Sequence, residues 1–456
     1  MSDAMREQVP QPAIPAIEPG RALKGKATGY VHLERLEGAW WLVDADGNAF
    51  WDRSVNIVAY PYPDSHAGKM NRRYTERVLA DYPDPDAWAK MTWDRLEDWG
   101  FSSVGAGCGP ETQDEAKRRG KFFYVSLNFC HRLLQQGAEH LFLKDAGGRL
   151  PADPATRFPD PFNPELRDRM RAMAKDIVPR FRDDRSLIGY FVDNEIVASG
   201  DRNLFKYFWS EACLKEVLAW LQERYDASLD ALNRAWGCRL ADFAELEREL
   251  RRIVEFPAFR TKQAHLDLVE FERHLVKTYV DHTIEVVREF DPNHLIIGNR
   301  FALTFLYMDW EPLDLFGQYD LVAANCYPMK GPFLADEDLW RIEKIAQLTG
   351  TPVLVAEWNL SARESGHIAW GWGYTVNTFR ERAEGYANCI AQWASLPYLV
   401  GAHWFQWVDA FDIEDYNAGI LQETGEPYPL LVERMRQTNL KAAHPKRGHA
   451  SGANSV

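Results

Sequence analysis

The chain has 456 residues, 46% of them apolar and 26% charged, a make-up that supplies a large core and excludes disorder as the main state. Acidic residues outnumber basic ones by 67 to 53, and the resulting charge of −14 argues against nucleic acid or an anionic membrane as partner. The six cysteines form no C-x-x-C pair, no apolar run reaches the ~18 residues of a membrane span, and the first residues hold no apolar leader, so a cytoplasmic protein with free thiols and no membrane partner is expected.

Residues 1–25, rich in Pro and Ala, read as a flexible arm, residues 26–440 as a single domain and residues 441–456 as a flexible tail. A hairpin comes first: Ala39 to Val43, an Asp-Gly-Asn turn at 46–48, then Ala49 to Trp51. Eight short apolar runs follow, each trailed by a helical pattern: Val55–Val58, Ser102–Gly105, Phe122–Leu127, Leu187–Val192, Leu295–Gly298, Tyr319–Ala324, Val353–Ala356 and Leu399–Phe405. Near-continuous apolar strands between amphipathic helices predict a parallel sheet covered by helices, and eight such units predict an α/β fold of the (β/α)8 TIM-barrel type. An open doubly wound sheet would call for a Gly-rich phosphate loop, and neither G-x-G-x-x-G nor G-x-x-x-x-G-K-[ST] occurs. Between the fourth and fifth runs the chain is too long for one crossover. It holds a helical insertion at about 200–260 and a helix from Thr261 to Phe290, stopped by Asp291-Pro292-Asn293.

In such a barrel, polar residues at the C-terminal strand ends point into the site. Those ends offer Asn56, Asn128, Asp193-Asn194-Glu195, Asn299-Arg300, Asn325, Tyr327, Glu357-Trp358-Asn359, and His403, Trp404, Gln406 and Trp407. Glu195 and Glu357 stand out, because a charge ending an apolar strand is costly unless used or paired. The bland alternative is a strand-capping ion pair, for instance with Arg300. Two acids facing each other across the mouth are the apparatus of glycoside hydrolysis, one protonated and one ionised. The twelve His form no H-E-x-x-H cluster, so no catalytic metal or other cofactor is expected.

Val192-Asp193-Asn194-Glu195 and Val355-Ala356-Glu357-Trp358 resemble the clan A glycoside hydrolases. The segment GYFVDNE, the Trp40-Trp41-Leu42-Val43 hairpin and Phe405-Gln406-Trp407 are most similar to the beta-agarases of glycoside hydrolase family 50. Leu232-Asn233 with Trp236-Gly237 resembles family 42 beta-galactosidases. The resemblance implies a retaining glycosidase with an oligosaccharide substrate, Glu195 as acid/base and Glu357 as nucleophile. It implies that Asn194 meets the sugar 2-OH, Tyr327 holds the nucleophile, and Trp404 or Trp407 forms a stacking floor. Asn325, Arg300, Asn128 and Trp358 complete the expected substrate contacts. Ile196-Val197-Ala198 and Trp358-Asn359-Leu360 depart from the agarase pattern, which moves the expected substrate toward a beta-galactoside or related oligosaccharide. Trp372, in an aromatic loop (Trp370 to Tyr374), and His66 are further candidates for contact with sugar. Glu195 is expected to have the raised pKa and Glu357 not. The contrasting reading is a carbohydrate-binding barrel that has lost catalysis. The sequence leaves homo-oligomer formation open.

Overall fold

The computed structural model describes residues 14, 16–18, 20–152, 157–196, 204–255, 260–303, 312–367, 372–412 and 415–445. Much of the expected arm (1–25), the end of the tail (441–456), part of the insertion, and Trp370 and Gly371 lie outside the described residues.

Three antiparallel strands come first: β1 (His32–Leu36), β2 (Ala39–Val43) and β3 (Ala49–Phe50). The expected hairpin is β2–β3, its turn closed by Asp44 Oδ1, which accepts from the Asp46 and Asn48 amides at 2.9 and 2.8 Å. The sheet lies under the N-terminal end of the barrel, where the Trp40 amide donates to Pro397 O (2.7 Å) just before the last barrel strand.

The barrel is closed and parallel, as the eight apolar runs predict. Its strands are β4 (Asp52–Val55), β5 (Ser103–Val104), β6 (Phe122–Ser126), β7 (Leu187–Asn194), β8 (Leu295–Ala302), β9 (Leu321–Asn325), β10 (Val353–Trp358) and β13 (Leu399–Trp404), neighbours in that order, with β13 closing on β4. A small parallel pair, β11 (Ser361–Ala362) and β12 (Thr375–Val376), orders the segment after β10. Val31, Leu42 and Phe50 join Tyr124, Ile188, Phe191, Ile297, Leu354 and Ala356 in an inner core, so the antiparallel sheet plugs the barrel floor. The larger core lies between the barrel and its helices.

Inside the barrel sits one buried carboxylate, Asp52. It accepts from Ser102 Oγ (2.7 Å), Ser103 Oγ (2.8 Å), Tyr124 OH (2.8 Å) and His403 Nε2 (2.9 Å). Burial pushes its pKa up, but these donors and the neighbouring His403 hold it below the ordinary value.

Between β7 and β8 the described residues include helices Glu211–Arg224, Leu229–Trp236 and Leu246–Glu255, then the long helix Lys262–Arg288. Thr261 Oγ1 caps the long helix by accepting from the Ala264 amide (3.2 Å). Asp267, buried on that helix, accepts from Arg224 Nε (2.8 Å) and Trp236 Nε1 (2.6 Å), pinning the inserted helices to it. No helix among the described residues is long and apolar enough to cross a membrane.

Candidate active site

Glu195 follows β7 with φ +52°, a left-handed turn that carries it out of the strand. Two clamps hold this turn. The Glu195 amide donates to Arg300 O (3.0 Å), and Asn299 brackets Ile196, accepting from its amide (3.2 Å) and donating to its carbonyl (2.7 Å). Glu195 Oε1 accepts from Asn325 Nδ2 at 2.8 Å, and the same amide group reaches Asn194 Oδ1 at 3.2 Å.

Glu357 sits near the end of β10, where the register slips against both neighbours. A local bulge re-aims side chains. Ala356 faces the inner core, Glu357 meets the site, and Trp358 packs among the outer helices. Glu357 is 7% exposed, with Arg300 Nη1 donating to Oε1 (2.6 Å) and Tyr327 OH to Oε2 (3.0 Å). Strands β8 and β9, which lie between β7 and β10, supply Arg300 and Asn325, and the segment just after β9 supplies Tyr327.

The proton affinity of Glu357 differs from the expectation. Burial pushes the Glu357 carboxyl up to about 7, the Arg300 charge pulls it down, the Glu195 charge raises it further, and Tyr327 lowers it. The physical reason is that Glu357 is buried, so desolvation disfavours its charged form.

The structure brings Asn194, Glu195, Arg300, Asn325, Tyr327 and Glu357 into one hydrogen-bonded group. Asn128, at the end of β6 with φ +46°, has a buried Oδ1 without a hydrogen-bond partner, and so does Asn325. His66 is an exposed residue at the start of helix His66–Met70 and makes no hydrogen bond to the carboxylates.

Three tryptophans are corrected. Trp358, Trp404 and Trp407 are 0%, 0% and 1% exposed, too enclosed to offer a face to a sugar. Trp358 packs against Tyr386, Trp393 and Trp404, with ring centroids 5.3, 4.7 and 4.9 Å away. Trp404 donates to Ala418 O (2.9 Å), and Trp407 donates to Tyr74 OH (3.2 Å) beside Trp99. Trp372, by contrast, is half exposed.

Sequence reasoning also passed over Gln406 when assigning contacts. It is 1% exposed, and neither its Oε1 nor its Nε2 has a partner. A polar residue just beyond the last barrel strand was the available signal. Asn56 proves to be a brace: Nδ2 donates to Ala356 O (2.7 Å) and Oδ1 accepts from the Ala106 amide (2.9 Å). Gly105 leaves room for it, since a Cβ there would lie 2.1 Å from Asn56 Oδ1. Among the described residues no group of three or more His, Cys, Asp or Glu has the arrangement of a metal site.

A closed parallel barrel with glutamates at the ends of its fourth and seventh strands is the architecture of clan A glycoside hydrolases. The family model for glycoside hydrolase family 42, described as beta-galactosidase, matches residues 134–438, and the chain belongs to that family. It is similar to Beta-agarase B of Vibrio sp. (strain JT0107), 26% identical over 92% of this chain and 50% of the relative. It is also similar to Beta-galactosidase Pbg of Clostridium perfringens, 22% identical over 57% of this chain and 40% of the relative. The chain therefore spans about half the length, or less, of these curated relatives. A solved exo-beta-agarase shares the fold with a TM-score of 0.73 at 20% identity, covering 92% of this chain and 65% of that one. A beta-galactosidase from the haloarchaeon Halorubrum lacusprofundi does so with a TM-score of 0.58 at 16% identity, covering 86% and 58%.

Proposed function

We propose that residues 26–440 form a single catalytic domain that cleaves a beta-glycosidic bond with retention, acting on a beta-galactoside or related oligosaccharide. One observation carries this reading: Glu357 is gripped by Arg300 and Tyr327 while Glu195 is held by Asn325, all from the two adjoining strands or just beyond them. The two donors to Glu357 favour its ionised form against burial, as a nucleophile requires. Glu195 donates a proton to the departing glycosidic oxygen while Glu357 attacks the anomeric carbon, forming a glycosyl ester. Glu195 then takes a proton from water as that water attacks the same carbon and releases Glu357. Asn194 is assigned to the sugar 2-OH, and the unpaired acceptors of Asn128 and Asn325 to other hydroxyls. All six cysteines are free and five are buried, which supports action in a reducing, cytoplasmic setting.

The test is a screen of nitrophenyl glycosides and neutral oligosaccharides, with the first-formed anomer of the product read by proton NMR. A beta-glycoside should yield the beta anomer first. An alpha anomer appearing first would mean inversion and would refute the double displacement. Binding without turnover across the screen would favour a carbohydrate-binding barrel instead.

A further inference from the structure

Directly before the Asn194-Glu195 pair stands Asp193, an acid that the mechanism leaves unused and that is 1% exposed. Its carboxylate bridges two elements outside β7. Oδ1 accepts from the Cys130 amide (2.8 Å), at the start of helix Phe129–Gln135, and Oδ2 accepts from the hydroxyl of Tyr279 on the long helix. Cys130 Sγ closes the group, 3.3 Å from the same hydroxyl. Cys130 and Tyr279 are each 1% exposed and belong to the core between the barrel and its helices. Burial pushes the Asp193 carboxyl up to about 7, against the pull of Tyr279 and Cys130. Burial and the Asp193 charge raise the Tyr279 phenol and the Cys130 thiol well above their ordinary values, so both keep their protons and Tyr279 remains a donor. A carboxylate kept at such a cost, in a core that apolar residues could fill, points to a task beyond packing.

The two strand ends that this carboxylate joins both carry strained backbone. β6 and β7 are paired neighbours, and the Leu127 amide donates to Phe191 O (2.8 Å) near their ends. Glu195, two residues beyond Asp193, has φ +52°, and Asn128, two residues before Cys130, has φ +46°. Neither is glycine, and a left-handed residue of this kind persists only where its surroundings over-determine it. On the β8 side the Glu195 turn is held by Arg300 O and by the Asn299 side chain. Asp193 supplies the hold on the other side, through the segment after β6 and the long helix. That helix also carries Asp267, which pins the inserted helices, so the insertion and the Glu195 turn are fastened to one element.

We propose that Asp193 is a positioning residue for the acid/base: its bonds to Tyr279 and to the Cys130 amide set the turn that aims Glu195 at the departing glycosidic oxygen. This rests on the catalytic reading above. Asp193 acts through the backbone it shares with Glu195, not by contact with the reacting atoms. A reacting group displaced by about 1 Å loses on the order of 100-fold in rate. Here the loss depends on the leaving group, because a poor one needs the proton from Glu195, whereas a dinitrophenolate departs without it. The competing role, in which Asp193 only fastens helix Phe129–Gln135 and fills the core, predicts less folded enzyme and a loss of one size for every substrate.

The test measures kcat/KM, which reports the first displacement, on dinitrophenyl, nitrophenyl and phenyl beta-glycosides of galactose, glucose, mannose and xylose. The wild type is compared with Asp193→Asn and Tyr279→Phe, and melting temperatures are read alongside. On the sugar that the wild type cleaves fastest, Asp193→Asn should lower kcat/KM by about 30- to 100-fold for the phenyl glycoside and by less than about 3-fold for the dinitrophenyl one. Tyr279→Phe removes one hydroxyl and keeps the ring, so it carries the test even where Asp193→Asn does not fold. It should show the same dependence on leaving group, with a loss of about 5- to 10-fold for the phenyl glycoside. A loss of one size across all leaving groups, or no loss in either variant, overturns the positioning role and leaves the catalytic reading standing. A wild type that hydrolyses none of these glycosides and no oligosaccharide overturns the catalytic reading, and the positioning role with it.

Discussion

Replacing Glu357 with Gln should stabilise the folded protein at alkaline pH and hardly at all at acid pH. The carboxyl is 7% exposed, and burial raises its pKa from 4.5 to about 7 despite Arg300. A carboxyl whose folded pKa lies above its unfolded one binds its proton more tightly when folded. Its contribution is therefore favourable below about pH 4.5 and is lost as the pH climbs to about 7. Each pKa unit is worth about 1.4 kcal/mol, so the interval amounts to about 3 kcal/mol of stability forgone at pH 8. Gln keeps the shape and neutrality of the protonated acid, and its Oε1 can still accept from Arg300. With about 2.1 cal/mol/K of unfolding entropy per residue, 1 kcal/mol moves the melting point of a chain this size by about 1 °C. Scanning calorimetry of both proteins from pH 5 to pH 8 should thus show the Gln variant gaining roughly 3 °C on the wild type across the series. A difference that stays constant with pH, or that grows in favour of Glu, would refute the argument that this carboxylate is held charged against its burial.

The same raised pKa sets the acid limb of kcat/KM. Attack needs the ionised form, so the rate should fall tenfold per unit below about pH 7. Tyr327→Phe, which removes a donor to Glu357, should move that limb to higher pH as well as lowering kcat; an unmoved limb would assign it to another group. Asp52→Ala strands four buried donors without their acceptor and should cost about 3–5 kcal/mol in denaturant titration; a loss under 1 kcal/mol would contradict the network. Trp404→Ala should cost about 3–5 kcal/mol of stability as a buried ring, whereas Trp372→Ala should leave stability within about 0.5 kcal/mol, a contrast chemical denaturation would show directly.

Seven of the eight barrel strands were legible as apolar runs, because strands covered on both faces seldom carry many polar side chains. The first run was read at Val55–Val58, although the strand is Asp52–Val55. Asp52, Arg53 and Ser54 look like loop residues, and only the distant Ser102, Ser103, Tyr124 and His403 make a buried Asp52 tolerable. β1, His32–Leu36, escaped notice because it lies at the edge of the floor sheet and carries charged residues. At the mouth, strand ends located Glu195 and Glu357 correctly in the fold, since position along a strand is a local property. Which way a residue points beyond a bulge is not local. The slip in β10 turned Trp358 toward the helices, and Trp404 and Trp407 likewise close into core packing. The burial of Glu357, and hence its raised pKa, depends on the assembled mouth and left no trace in the sequence.

The most direct test of the central claim, that Glu357 is the nucleophile and Glu195 the acid/base, is the configuration of glycosyl azide formed by the two alanine variants. Glu357→Ala should lose nearly all turnover, and added azide should fill the vacated space and attack the anomeric carbon, giving a glycosyl azide of inverted configuration. With Glu195→Ala the first intermediate on Glu357 still forms, so its azide product should retain the substrate's configuration. A retained azide from the Glu357 variant, paired with an inverted one from the Glu195 variant, would contradict the account and exchange the two roles.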